Sequence, residues 1–368
     1  MKYVTEFRSP EIVEALLEKI RQNVKGNWSI MEVCGGQTHS LVKNGILNML
    51  PPNIQMVHGP GCPVCVTPVN LIDKAVILAM EHGVILCSYG DMIRVPGTGM
   101  SLLEAKSKGA DVRILYSPLE AVKIAKENPD REVVFFAVGF ETTAPANALS
   151  VIHAYREGIR NYTILTSHVL VPPAMEAIMS DEECKVDAFL GAGHVCAIMG
   201  MDEYYPIVEK YKIPIVITGF EPVDLLEGIL MAVSQLEKGE YKLENQYTRV
   251  VESKGNKNAI SAIDEVFEVV DREWRGIGEI PQSGYGVKEL YSQFDAVRKF
   301  KIDITGSHED KTCLSGDVMK GKIKPDQCPN FGTKCTPVKP LGAPMVSSEG
   351  ACAAYYHFHM ASEPEVIV

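Results

Sequence analysis

The stretch Trp28-Ser29-Ile30-Met31-Glu32-Val33-Cys34-Gly35-Gly36 sets the expected architecture. A short apolar run stops at a cysteine and two glycines, and a helical pattern follows through about Met49, which reads as strand, glycine turn and helix. The unit recurs, with strands expected near 55–58, 84–88, 112–116, 133–139, 163–167, 188–191 and 215–219. Alternation of strand and helix over about 200 residues predicts an α/β fold of parallel sheets with covering helices. Eight or nine strands are more than one sheet usually holds, so two sheets are expected. The expected division is a first α/β domain at 1–130, a second at 131–240 and a C-terminal unit at 241–368.

Local signals support this reading. Ser9-Pro10 is a helix start, and Ile12, Leu16, Ile20 and Val24 fall on one apolar stripe. Thr67-Pro68 and Ser117-Pro118 repeat the cap-then-proline signal, and Gly83 and Gly109 stand where helices should stop. The triplet Gly139-Phe140-Glu141 returns as Gly219-Phe220-Glu221, a weak hint of two related halves. After about Tyr241 the character changes. Residues 258–274 read as one more amphipathic helix; beyond it Gly, Pro and Lys are frequent and four of the ten cysteines occur.

Composition narrows the function classes. With 46% hydrophobic and 23% charged residues among 368, the chain has the make-up of a globular protein. No apolar run approaches the roughly 18 residues of a membrane span, and the first eight residues lack the apolar core of a signal peptide, so a cytoplasmic protein is expected. The net charge of -11, without a basic block, argues against a nucleic-acid partner. Ten cysteines in that compartment point to metal binding or redox work, because structural disulfides are rare there. Cys87 and Cys184 read as buried apolar residues.

The chemistry concentrates in His58-Gly59-Pro60-Gly61-Cys62-Pro63-Val64-Cys65-Val66-Thr67-Pro68. Prolines and glycines shape a rigid loop, and a Cys-x-x-Cys pair on such a loop either ligates a metal or cycles between dithiol and disulfide. Parallel sheets bind ligands beyond the carboxyl ends of their strands. At those ends stand Cys34 and His39, then His58, Cys62 and Cys65, then Asp91 and Arg94, then Glu141, His168, His194 and Glu221. Cys34 opens a helix whose N-terminal amides would favour a thiolate, placing it as a nucleophile or soft-metal ligand. With Cys62, Cys65 and a histidine it could complete a ligand set for zinc or iron. Glu141, closing an apolar strand, would be desolvated and could exchange protons near neutral pH. Cys313, Cys328, Cys335 and Cys352 have fourteen, six and sixteen residues between them. Lacking tight Cys-x-x-Cys knuckles, they favour a 4Fe-4S cluster over structural zinc, which spacing alone leaves open.

These motifs together resemble the HypD family, whose members assemble the active-site iron of nickel-iron hydrogenases. The resemblance covers nearly the whole chain and rests on residues 32–39, 59–68, 139–145 and the four late cysteines. Gln37 stands where some members carry a second histidine. The resemblance implies a scaffold of two α/β domains and a C-terminal unit holding a 4Fe-4S cluster on Cys313, Cys328, Cys335 and Cys352. It implies a complex with a HypC-type chaperone and cyanide delivered by a HypE-type partner carrying a thiocyanate. Carried over, Cys34 is the thiolate of an additional iron that becomes the Fe(CN)2CO moiety, with Cys65 a further candidate ligand. Cys62 and Cys65 are then a redox dithiol, and His39, Glu141 and His194 residues that ligate, orient or shuttle protons.

Releasing cyanide from a sulfur-bound thiocyanate takes two electrons, which a dithiol supplies and a one-electron cluster can restore. On this reading the chain is a maturation scaffold with redox chemistry rather than an enzyme of ordinary turnover. The alternative is an iron-sulfur-dependent thiol-disulfide oxidoreductase, which has no need of Cys34. A third reading is a zinc-stabilised binding module.

Overall fold

A computed structural model describes residues 6–359; Met1–Thr5, part of the stretch read for a signal peptide, and residues 360–368 lie outside the described residues. The strands are β1 (Trp28–Glu32), β2 (Ile54–His58), β3 (Ile85–Ser88), β4 (Val112–Ile114), β5 (Val133–Gly139), β6 (Tyr162–His168), β7 (Ala188–Ala192), β8 (Ile215–Thr218), β9 (Leu243–Asn245), β10 (Phe267–Trp274) and β11 (Gly278–Val287). All the expected strands are present, and β9, β10 and β11 are additions. They form two parallel sheets and an antiparallel hairpin, in the orders β2-β1-β7-β8-β9, β4-β3-β5-β6 and β10-β11. Every pairing within the two larger sheets is parallel. β5 and β6 are buried along their whole length, as strands covered on both faces must be.

The sheets are interleaved along the chain, which corrects the expected boundaries. β1 and β2 open the first sheet, β3 to β6 build the whole second sheet, and β7 to β9 return to the first. A division at residue 130 would part β4 from β5, two strands of one sheet. Alternation shows that strands are parallel but not which strands adjoin, since a crossover can carry the chain to either sheet.

Ser9 caps the helix Pro10–Asn23, which buries Leu16, Leu17 and Ile20, whereas Ile12 of the expected stripe is 41% exposed. The helix after Cys34 is interrupted. It runs Gly35–Lys43, and Gly45, at φ 67°, turns the chain before Ile46–Met49. Thr67 does not open the next helix but closes the short one before it, Pro63–Val66; its hydroxyl donates to the Pro63 carbonyl, and Pro68 precedes the helix Val69–Met80. Ser117 does cap the helix Pro118–Glu127. The expected helix at 258–274 is half right: Asn256 caps the helix Lys257–Val266, and the next eight residues are β10. Val269-Val270 and the large apolar residues at both ends suit a strand; Glu268, Asp271 and Glu273 face outward, whereas Arg272 turns in and donates to the Tyr285 carbonyl.

The C-terminal segment is not set apart. Ala343, Val346 and Met319 join the main core, and the short helix Ala351–Ala354 packs on Gly35–Lys43. Among the described residues no helix is long and apolar enough to cross a membrane.

Candidate functional site

The order β2-β1-β7-β8-β9 changes direction between β1 and β7, the kind of point where parallel sheets hold ligands. Cys34 follows β1 and His194 follows β7. Their side chains meet, Cys34 Sγ lying 3.3 Å from His194 Nε2. The imidazole stacks on Phe220 at 4.9 Å between centroids, and burial lowers its pKa to about 4, so it is neutral and able to accept a hydrogen bond or ligate. Phe220 also lines an open pocket with Tyr247 and Arg249.

The Cys62/Cys65 loop lies directly against this pair. The Gly35 amide donates to the Gly61 carbonyl at 2.8 Å, and a Cβ on Gly61 would fall 2.3 Å from the Cys34 nitrogen. Only glycine allows this approach. Cys62 and Cys65 are joined as a disulfide, both buried, with Cα atoms 5.2 Å apart. A metal-ligand role for Cys65 therefore belongs to the reduced pair alone. The short helix Pro63–Val66 touches β5 of the second sheet, so the loop bridges the two sheets.

The amides that open the Gly35–Lys43 helix do not act on Cys34 alone. Burial pushes the thiol up, and the neighbouring Glu349 carboxylate adds to this; the Gln37 and Gly36 amides act in the opposite direction but are outweighed. Without a cation beside it the group stays protonated. Glu349 was not found from sequence. It packs where Gly35 lacks a side chain, a Cβ there falling 2.5 Å from the Glu349 Cβ, and it also feels Asp91 and His39. Its only local signal is an acid three residues before Cys352.

The remaining candidates divide. His39 turns to the C-terminal segment, with Nδ1 3.1 Å from the Ser348 carbonyl and its ring edge-on to Phe358. Gln37 is structural: its side-chain amide donates to the Gly191 carbonyl and the Thr218 hydroxyl. Arg94 pairs with Asp91 and donates to the Val346 carbonyl. Glu141 lies two residues beyond β5 at the second sheet's own reversal point, between β3 and β5. One carboxylate oxygen accepts the Val171 amide at 2.9 Å, and burial raises the pKa to about 8. Cys196, two residues beyond His194, lies within its electrostatic reach. His168 is a core histidine held by Asn147, lowered by burial to about 3. Glu221 pairs with Arg8 at the surface, and His58 pairs with buried Glu32. Cys87 and Cys196 are buried, each pushed up by burial to about 12; Cys184 is half-buried.

Cys313, Cys328, Cys335 and Cys352 line one apolar cavity with Leu314, Val318, Phe331, Leu341 and Met345. Cys352 is pushed up first by burial and then by the other three thiols. The Leu341 amide donates to Cys335 Sγ at 3.4 Å, and a Cβ on Gly342 would fall 2.4 Å from Cys313 Sγ. Four sulfurs around one dry cavity, with an amide directed at one of them, fit the donor set of a 4Fe-4S cluster. Among the described residues no group of three or more His, Cys, Asp or Glu stands ready to hold a single metal ion.

A family model described as "Hydrogenase formation hypA family", HypD, matches residues 11–359. The hydrogenase maturation factor HypD of Azotobacter vinelandii is 46% identical over 367 residues, 97% of each chain. The hydrogenase expression/formation protein HupD of Azotobacter chroococcum mcd 1 is 45% identical over 97% of each chain. HypD of Escherichia coli K12 is 45% identical over 97% of this chain and 98% of its own. A family match over residues 11–359, with relatives 45–46% identical over 97% of this chain, makes it a member of the HypD family of hydrogenase maturation factors.

Proposed function

We propose that this chain holds an iron ion at Cys34 while the ion acquires cyanide and carbon monoxide, working in complex with a HypC-type chaperone and taking cyanide from a HypE-type partner. The observation that carries this reading is the meeting of Cys34 with His194 at the reversal of the first sheet, with the Cys62/Cys65 loop packed on the Cys34 backbone. Iron is cargo here, and a soft thiolate beside a neutral imidazole suits it. Cation binding would also offset the burial that keeps Cys34 protonated.

The dithiol chemistry balances. A Cys62/Cys65 dithiol and a partner's S-thiocyanate give the Cys62–Cys65 disulfide, the partner's free thiol and hydrogen cyanide; the dithiol loses two electrons and both protons. Glu141 is a proton exchanger within the second sheet. Cys313, Cys328, Cys335 and Cys352 would hold a 4Fe-4S cluster, which supplies electrons one at a time when bound. A freestanding thiol oxidoreductase has no need of Cys34, and that reading leaves the meeting of Cys34 with His194 beside the Cys62/Cys65 loop without a purpose.

Infrared spectroscopy on the chain purified anaerobically with the chaperone tests the reading. Iron-bound cyanide and carbon monoxide stretches are expected, and Cys34→Ala should remove them while the visible absorbance of the cluster proposed on the C-terminal cysteines persists. Bands that survive Cys34→Ala would refute the iron-ligand role.

A further inference from the structure

Beneath Cys34 runs a chain of buried polar groups that links the cysteine motifs without including any of their thiols. Glu32, the last residue of β1, has no exposed surface, yet both of its carboxylate oxygens are used. Oε2 accepts the Cys34 amide at 3.0 Å. Oε1 accepts the Thr38 hydroxyl and lies 2.8 Å from His58 Nδ1. His58 ends β2 in direct register with Glu32, and its Nε2 reaches the Tyr355 hydroxyl at 3.1 Å. The Tyr355 ring stands edge-on to the imidazole at 5.3 Å. With Nδ1–H donating to the carboxylate, Nε2 is left to accept the phenol O–H.

The positions of these residues are what matter. Glu32 is two residues before Cys34, His58 four before Cys62, and Tyr355 three after Cys352. The β1–β2 ladder already runs in register from Trp28↔Ile54 to Glu32↔His58, and apolar side chains at its end would pack at lower desolvation cost. Buried polar chains of this kind are best understood as devices that fix one arrangement among several. We infer that Glu32, His58 and Tyr355 are positioning residues which lock the Cys34 turn, the Cys62/Cys65 loop and the Cys352 segment into one register, so that Cys34 stays closed until a partner or cation opens it. The inference deepens the function proposed above, since it takes Cys34 as the reactive thiol.

The test is the alkylation rate of Cys34 by iodoacetamide in the full chain alone, followed by mass spectrometry, with Cys87 in β3 of the other sheet as internal reference. Tyr355→Phe deletes one hydroxyl and should speed alkylation of Cys34 about fivefold, the scale of one lost buried hydrogen bond, with Cys87 unchanged. Glu32→Gln keeps an oxygen for the Cys34 amide and should stay near the parent rate, whereas Glu32→Leu should exceed Tyr355→Phe. An unchanged Cys34 rate in Tyr355→Phe would overturn the inference. So would equal acceleration at Cys34 and Cys87, which marks general loosening. Should Glu32→Leu fail to fold, Tyr355→Phe still decides. No iron or partner enters these rates, so a failure of the infrared experiment is read separately from a failure here.

Discussion

The two cysteine sites are built from different materials. Cys34, Cys62, Cys65 and His194 stand just beyond the ends of parallel strands, and their backbones are fixed by neighbouring strands, by the Gly35-to-Gly61 hydrogen bond and by the Glu32 carboxylate. The four late cysteines stand on turns. Between Lys301 and His359 the helical pieces are five residues or fewer, and Cys352 lies in the four-residue helix Ala351–Ala354. A site on strand ends has its shape before any ligand arrives, whereas a site on short turns takes much of its order from what it binds.

The largest expected effect follows from that contrast. If the C-terminal cavity holds the proposed cluster, Cys328→Ala should lose it and unravel the segment around it, while the two sheets remain folded. Limited proteolysis should then cut within 301–350 at least about tenfold faster, because a structural metal centre contributes well beyond the ~1.4 kcal/mol that a factor of ten represents. Cleavage at the parent rate, with iron content unchanged, would show that the turns hold themselves and that Cys328 is not a ligand.

Rigid burial at the strand ends has its own signature, and Glu141 displays it. The folded chain holds this carboxyl at a pKa of about 8 because burial disfavours the charge. The unfolded chain releases the proton near the ordinary 4.5. The contribution to stability is therefore complete below about pH 4.5 and is lost as pH rises to about 8, at up to ~1.4 kcal/mol per pH unit. Glu141→Gln keeps an acceptor for the Val171 amide and has no proton to lose. Urea unfolding at stepped pH should show the two proteins diverging from pH 5 to 8 in favour of the variant and converging below 4.5. Parallel curves would mean that the carboxyl is already ionised in the folded state.

Much of this was legible beforehand, for identifiable reasons. Strand, glycine turn and helix alternation gives parallel sheets, and the rule that chemistry gathers at carboxyl ends placed Cys34, Cys62, Cys65 and His194 in one neighbourhood. The interleaving was not legible, because no local pattern says whether the strand after β2 joins the same sheet or begins another. Glu349 and Tyr355 meet residues about 300 positions earlier, as the His39–Ser348 contact at a separation of 309 illustrates, and spacing carries no signal at that range. The repeated triplet shows the same limit. Glu141 is buried on the Val171 amide, and Glu221 pairs with Arg8 at the surface, although three residues of context are identical. β10 was read as helix because its charged residues alternate with apolar ones loosely enough to fit either period.

A matched pair of glycines sharpens the comparison at the smallest scale. A Cβ on Gly61 would meet the Cys34 nitrogen and Cα at 2.3 and 2.4 Å, and a Cβ on Gly342 would meet Cys313 Sγ at 2.4 Å. The clashes are equal in distance and unequal in kind. Backbone at the end of β1 has nowhere to go, so Gly61→Ala should cost about 1–3 kcal/mol whether or not the C-terminal cavity is loaded. A cysteine sulfur swings aside by rotation about one bond, so Gly342→Ala should cost less than about 0.5 kcal/mol in the chain stripped of iron. In the loaded chain that rotation is blocked, because a sulfur bound to a cluster cannot leave it. Thermal unfolding of both variants with and without the cluster therefore gives four numbers, of which only one pair should depend on loading. If Gly61→Ala also became loading-dependent, the two sites would be mechanically coupled, as the Glu32, His58 and Tyr355 chain would allow. If Gly342→Ala were equally costly in both states, the late cysteines would be as firmly fixed as Cys34, and the contrast between strand ends and turns would fail.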